Sequence, residues 1–228
     1  MGRWMSGFWT SKPTIAILVA IALGATVFVA GIGAVGAFAV ATAAALAGRR
    51  QGSFGDLGFR APASWPRLLG LTCLYGLMLQ GITLLLIEPA LARWTGAPVD
   101  ISHFDAVRGN LANFLVLLAI GWVVGGFLEE FAFRGFVVGR VHWLLGSTPA
   151  GAWFGVLVAA IPFGLAHAYQ GAAGMIVTGL AGFACGAIYV LHRFNLWYAI
   201  FTHAFTNTFG ITAIYLDLDR RISSLLFG

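Results

Sequence analysis

The chain has 228 residues, of which 60% are hydrophobic and 9% charged, with a net charge of +5 and a mean hydropathy of +0.90. That balance excludes an ordinary soluble domain and leaves room for one all-α polytopic membrane domain over 1–228, with no second folded unit. The positive charge comes from arginines near predicted helix ends, so it reads as a membrane-surface and topology signal and not as nucleic-acid binding.

A bilayer core takes about 20 apolar residues per helix, and that rule divides the chain into about six spans. The N-terminal MGRWMSGFWTSKPT shows no small-residue cleavage site, so no removed signal peptide is expected. Ile15 to Ala47 reads as one tilted or extended first span, with glycines suited to helix packing. Gly48 to Arg67 is a basic, turn-rich connection. Leu68 to Ala92 is the second span, bracketed by Trp65 and Trp94 as interfacial anchors. Between Arg93 and Asn110 the chain is polar, and Ser102 followed by Asp105 predicts a capped short helix.

The third span is expected from Leu111 to about Leu145, closed by the turn Gly146-Ser147-Thr148-Pro149. Glu129 and His167 lie at comparable distances either side of that turn, so an antiparallel pair brings them to similar depth. The fourth span runs from about Ala150 to Tyr169 with a kink at Pro162, the fifth from Ala173 to His192, and the sixth from Trp197 to about Leu216. Cys73 and Cys185 lie in apolar segments and read as buried small hydrophobes. Arg49, Arg50, Arg60, Arg67 and Arg193 slightly favour a cytoplasmic side, nearly balanced by Arg3, Lys12, Arg93, Arg108, Arg220 and Arg221 on the other.

Six polar side chains fall where the chain should be buried in lipid: Glu129, Glu130, Arg134, His167, His203 and Asn207. Such groups are costly at membrane depth and normally face one another or a water-filled cavity. Five of the six are also of catalytic types. The bland reading is a polar cluster that only joins helices.

Glu130 and Arg134 share a helix face at a spacing of four and can form an ion pair. Glu129 points elsewhere and can face a cavity, where poor solvation would suit a carboxylate to general-base work. Phe163 and His167 share a face, and so do His203 and Asn207, a donor pair able to hold a developing oxyanion. His103, His142 and His192 lie in loops or near membrane boundaries and are read as ordinary packing or surface histidines.

Together Glu129-Glu130-x-x-x-Arg134, Phe163-x-x-x-His167 and His203-x-x-x-Asn207 resemble the three motifs of the CPBP intramembrane proteases. That family includes type II CAAX prenyl endopeptidases and bacteriocin-processing or immunity-associated membrane proteins. The resemblance covers roughly Leu111 to Tyr215, within a family-like catalytic core of about 111–216. Every motif position is intact, and the first two spans carry no family signal.

The resemblance implies an endopeptidase acting on a membrane-associated peptide or protein in the lipid bilayer, in a bacterial-type plasma (inner) membrane. Glu129 with His167 would activate water, His203 and Asn207 would hold the oxyanion, Glu130 and Arg134 would orient the first motif helix, and Phe163 would support His167. No cofactor is expected. The alternative is a divalent metal such as zinc on Glu129, His167 and His203. Two other classes stand beside it: a non-catalytic scaffold or immunity protein, and a small proton-coupled transporter, for which matched repeats are missing.

Overall fold

The computed structural model describes residues 11–28 and 57–227, and these form an all-helical protein without strands. The first described helix, α1, is Lys12–Phe28; the remainder of the expected Ile15–Ala47 span lies outside the described residues. The second, α2, is Trp65–Thr95 and the third, α3, is Leu111–Leu144. Then follow α4 (Pro149–Leu165), α5 (Gly171–Leu191), α6 (Leu196–Tyr215) and a short α7 (Leu218–Phe227). By length and composition α2, α3 and the segment Ala168–Leu191 can cross a membrane, while Lys12–Val27 and Pro149–Leu165 are shorter apolar helices.

The spans begin where the sequence supplies caps. Ser64, Asn110, Thr148 and Asn195 each turn a side-chain oxygen onto a free backbone N–H of the following helix. Pro66 and Pro149 sit in the first turn, where the missing N–H costs nothing. The polar loop departs from the expectation. Ser102–Val107 is a 3₁₀ turn, and the capping oxygen belongs to Asp100, which accepts from Ser102 N at 3.0 Å and Ser102 Oγ at 2.6 Å. Asp105 is instead engaged by Arg108 at 2.9 Å.

Loop contacts sort the helix ends onto two sides. On one, Leu196 N donates to Gly58 O at 2.8 Å, Asn195 Nδ2 donates to Arg60 O at 3.1 Å, and His142 stacks on Phe194. On the other, Asp100 N donates to Gln170 O and Gly109 N to Tyr215 O, both at 3.0 Å, and His103 meets Tyr169 edge-on. The five helices α2 to α6 therefore alternate in direction. Their outward faces carry exposed apolar side chains such as Leu77, Leu86, Val116, Val123 and Ile161, as a lipid-facing surface requires.

The core is built where α3 meets α4, α5 and α6: Phe131, Phe133, Phe136, Val138, Val156, Phe163, Tyr189 and Leu196 are all buried there. Helices α4 and α5 approach closely at Gly164, where an added Cβ would lie 2.5 Å from Met175 O and 3.0 Å from Gly179 Cα. Within α3, Gly121–Glu129 and Phe131–Val138 are π-helical. Widened turns of this kind recur at functional sites, because they break the regular ladder and leave backbone groups open to other partners.

Candidate active site

The first motif forms a charged pair in the driest part of the protein. Glu130 is 0% and Arg134 1% exposed, and Arg134 Nη1 lies 2.8 Å from Glu130 Oε1. The contact is a charge pair and not an aligned hydrogen bond, and Glu130 Oε2 has no hydrogen-bond partner. Arg134 is held on its other edges. Its Nη2 donates to Gly182 O at 2.5 Å, and its guanidinium lies over Phe163 with the carbon 4.9 Å from the ring centre. A buried cation of this kind is tolerable only with a counter-charge and such contacts, which leave Nε and Nη1 without a hydrogen bond.

Phe163 thus does more than pack His167, whose ring centre lies 5.1 Å away; it also stacks on Arg134 and meets Phe133 edge-on at 5.0 Å. His167 is not inside the helix, as its expected span to Tyr169 implied. Helix α4 ends at Leu165 and His167 occupies the turn that follows. There its Nδ1 lies 2.8 Å from Phe163 O. A carbonyl only accepts, so Nδ1 carries the hydrogen, and the neutral ring presents Nε2 as a proton acceptor.

The third motif is wired to the first. His203 Nδ1 lies 2.8 Å from Glu130 Oε1, so Glu130 holds a residue of α6 as well as Arg134 of its own helix. Asn207 Nδ2 donates to Gly121 O at 2.8 Å, a carbonyl in the π-helical stretch of α3. The amide group keeps a second N–H for another acceptor. Gly125 is the floor beneath this pair: a Cβ there would lie 2.5 Å from Asn207 Nδ2 and 3.5 Å from His203 Nε2. Its hydrogen in place of a side chain leaves both nitrogens accessible.

Glu129 is half-buried and takes no part in the ion pair of Glu130 with Arg134. It lines a cavity of about 320 Å³ together with His167, His203, Asn207, Gly121 and Gly125. A second cavity of about 220 Å³ shares His167, His203 and Asn207 and extends past Arg134 and Phe163 to Gln80, Thr83 and Glu88 of α2. Six of the seven motif residues singled out from the sequence line one or other of these two cavities, and Glu130 lies buried behind them against Arg134 and His203.

The metal alternative meets a different geometry from the one expected. Among the described residues, the donors that converge within 4.8 Å of one another are Glu130, Cys185 and His203, not Glu129, His167 and His203. Glu130 Oε1 already contacts Arg134 and His203, so a divalent cation on that carboxylate would face a buried guanidinium. That donor set does not fit a catalytic metal centre.

Sequence reasoning missed four contributors. Gly121 and Gly125 were visible in the glycine-spaced run before the glutamates, as positions where another helix comes close. Gln80 and Glu88 lie in the second span, and an ionisable residue in an apolar run is itself a functional signal. His142 and His192 are packing residues as expected: His142 stacks on Phe194, and His192 stacks on Tyr198 at 3.8 Å.

No curated protein and no solved structure matches the chain. Residues 111–209 do match a family model, described as type II CAAX prenyl endopeptidase Rce1-like, and they contain every motif residue of the cavity. Over that segment, from the start of α3 to beyond Asn207, the chain is similar to the type II CAAX prenyl endopeptidase Rce1-like family.

Proposed function

We propose that this protein is an intramembrane endopeptidase that hydrolyses a peptide bond of a membrane-associated peptide or protein by glutamate-activated water. The observation that carries the reading is that Glu129, His167, His203 and Asn207, from two different helices and a turn, line one cavity. A non-catalytic scaffold needs no such cavity with unengaged polar edges.

In this reading Glu129 takes a proton from water as the oxygen attacks the scissile carbonyl carbon, and His167 Nε2 accepts a hydrogen bond from the same water. The carbonyl oxygen becomes an oxyanion and receives the free N–H of Asn207. His203 can join as a donor through Nε2 only as an imidazolium, since Nδ1–H already faces Glu130. As the C–N bond breaks, the proton held by Glu129 passes to the departing amine. Glu130 and Arg134 are positioning residues here, because they act through His203 and through the shape of α3.

The reading is metal-free and places the protein in a bacterial-type plasma (inner) membrane, with substrates open between prenylated tails and leader-type peptides. Its test is cleavage of a peptide library by purified protein, comparing wild type with Glu129→Gln, before and after exhaustive metal removal checked by elemental analysis. Cleavage that survives stripping and vanishes in the variant supports it. Activity restored by stoichiometric zinc would overturn the metal-free mechanism, and equal activity in Glu129→Gln would overturn the role of Glu129.

A further inference from the structure

Of the seven carboxylates among the described residues, Glu129 and Glu130 belong to the site above. Asp100 accepts from Ser102, and Asp105, Asp217 and Asp219 are held by Arg108. Outside that site, Glu88 alone has no side-chain hydrogen bond or ion pair among the described residues, and the charge it feels is that of Asp219, of like sign. It is half-buried in the apolar second span, where an unpaired carboxylate is expensive and normally marks a ligand or ion path.

Its position is set by the backbone. Thr83–Ile87 is π-helical, and Pro89 at the start of the next α-helical stretch cannot donate to the preceding turn. This break in α2 brings Glu88 to the junction of two cavities. One is the 220 Å³ cavity that also contains His167, His203 and Asn207. The other, of about 470 Å³, runs from Glu88 past Pro98 and Asp100 to the polar side of the protein at Arg108 and Asp219. A chain entering from the polar side would pass Glu88 before it reached the catalytic groups.

We propose that Glu88 is a specificity-determining residue, a subsite carboxylate that binds a cationic side chain, lysine or arginine, of the peptide substrate next to the scissile bond. The proposal rests on the endopeptidase reading above. The complement is chemical: a carboxylate poorly solvated and unpaired gains most from a charged donor. A charge-assisted hydrogen bond in such a place discriminates against a neutral side chain on the order of 10- to 100-fold. Thr83 and Gln80, about one and two turns before Glu88 on the same cavity wall, offer neutral hydrogen-bonding groups along the stem of such a side chain. Because Glu88 lies outside residues 111–209, selectivity would come from a part of the chain separate from the catalytic motifs.

The experiment uses the full chain in detergent and internally quenched peptides carrying lysine, norleucine or glutamate at each position around the cleaved bond. Wild type should favour lysine over norleucine at one position by on the order of 10- to 100-fold in kcat/KM. Glu88→Gln should bring that ratio close to one, Glu88→Asp should keep a preference, and Glu88→Lys should shift it to glutamate. A lysine preference that survives Glu88→Gln, or no preference in wild type, overturns the proposal. If wild type cleaves no peptide, the endopeptidase reading fails, and the subsite is then judged by binding of the lysine and norleucine peptides measured by fluorescence anisotropy. Tighter binding of the lysine peptide that is lost in Glu88→Gln supports the subsite, and equal binding overturns it.

Discussion

Two adjacent glutamates differ here only in what they touch. Glu130 is fully buried against Arg134 and His203, so Glu130→Gln leaves a buried guanidinium without its counter-charge. Breaking a buried pair by removing one partner typically costs about 3–5 kcal/mol. Thermal unfolding in detergent should show a large loss for Glu130→Gln and a small one for half-buried Glu129→Gln, which should stay folded and inactive. The opposite pattern would reverse their assignments. Beside them, Gly125→Ala pushes a methyl against Asn207 Nδ2, and Asn207→Ala removes the donor altogether. Both should lower kcat with little change in KM, Asn207→Ala on the order of 100- to 1,000-fold. A rise confined to KM would place Asn207 in substrate binding instead.

At the scale of elements, the sequence was most informative where periodicity is long. The third span could end at Arg134 or near Leu145, and the turn at Gly146–Pro149 favours the longer reading; helix α3 extends from Leu111 to Leu144. The turn at Ser147 likewise follows from its residues, with Ser147 in a left-handed conformation at φ 57°. The π-helical stretches of α2 and α3 were not legible, because nothing in local composition distinguishes an i→i+5 turn from an α turn. His167 was misplaced for a related reason: the end of α4 is set by the chain turning toward Gly171, whose φ is 76°. The contact of α4 with α5 gives the test at this scale. Gly164→Ala places its methyl against backbone atoms of α5 that have little freedom to yield. We expect a loss of about 1–3 kcal/mol, read as a lower unfolding midpoint, whereas Gly24→Ala, with no neighbour within 4 Å among the described residues, should be close to neutral.

For the molecule as a whole, the two sets of loop contacts predict which ends share a side. Single cysteines at Ser147 and Asn195 should label from one side of the membrane and a cysteine at Ser102 from the other. Labelling of positions 147 and 195 from opposite sides would refute the helix order. On the side of Ser102, Arg108 gathers Asp105, Asp217 and Asp219 at 2.6–2.9 Å and ties the loop to α7. The hydrogen bond from Arg108, above all, holds the Asp105 carboxyl below its ordinary value of 3.8. A lowered carboxyl contributes its stabilisation fully above that value and loses it as pH falls through the folded-state value. Hydrogen exchange at residues 102–109 should therefore stay slow from pH 7 to 5 and quicken only in stronger acid. Arg108→Ala should quicken it at neutral pH as well.

Composition and the length of the apolar runs determined that this chain is a helical membrane protein, because leaving so many apolar side chains in water is costly and a helix satisfies its own backbone groups in lipid. Residue spacing along single helices determined the Glu130–Arg134 pair, since i and i+4 meet on any helix face. Only the tertiary structure decided that Glu130 also holds His203, that Asn207 is anchored on Gly121, and that Glu88 of α2 reaches the same cavity. Each of those contacts joins residues far apart in the chain, and their geometry depends on helix tilt, π-helical turns and close packing at glycine. Such quantities are set by how helices fit one another, not by the order of residues within any one of them.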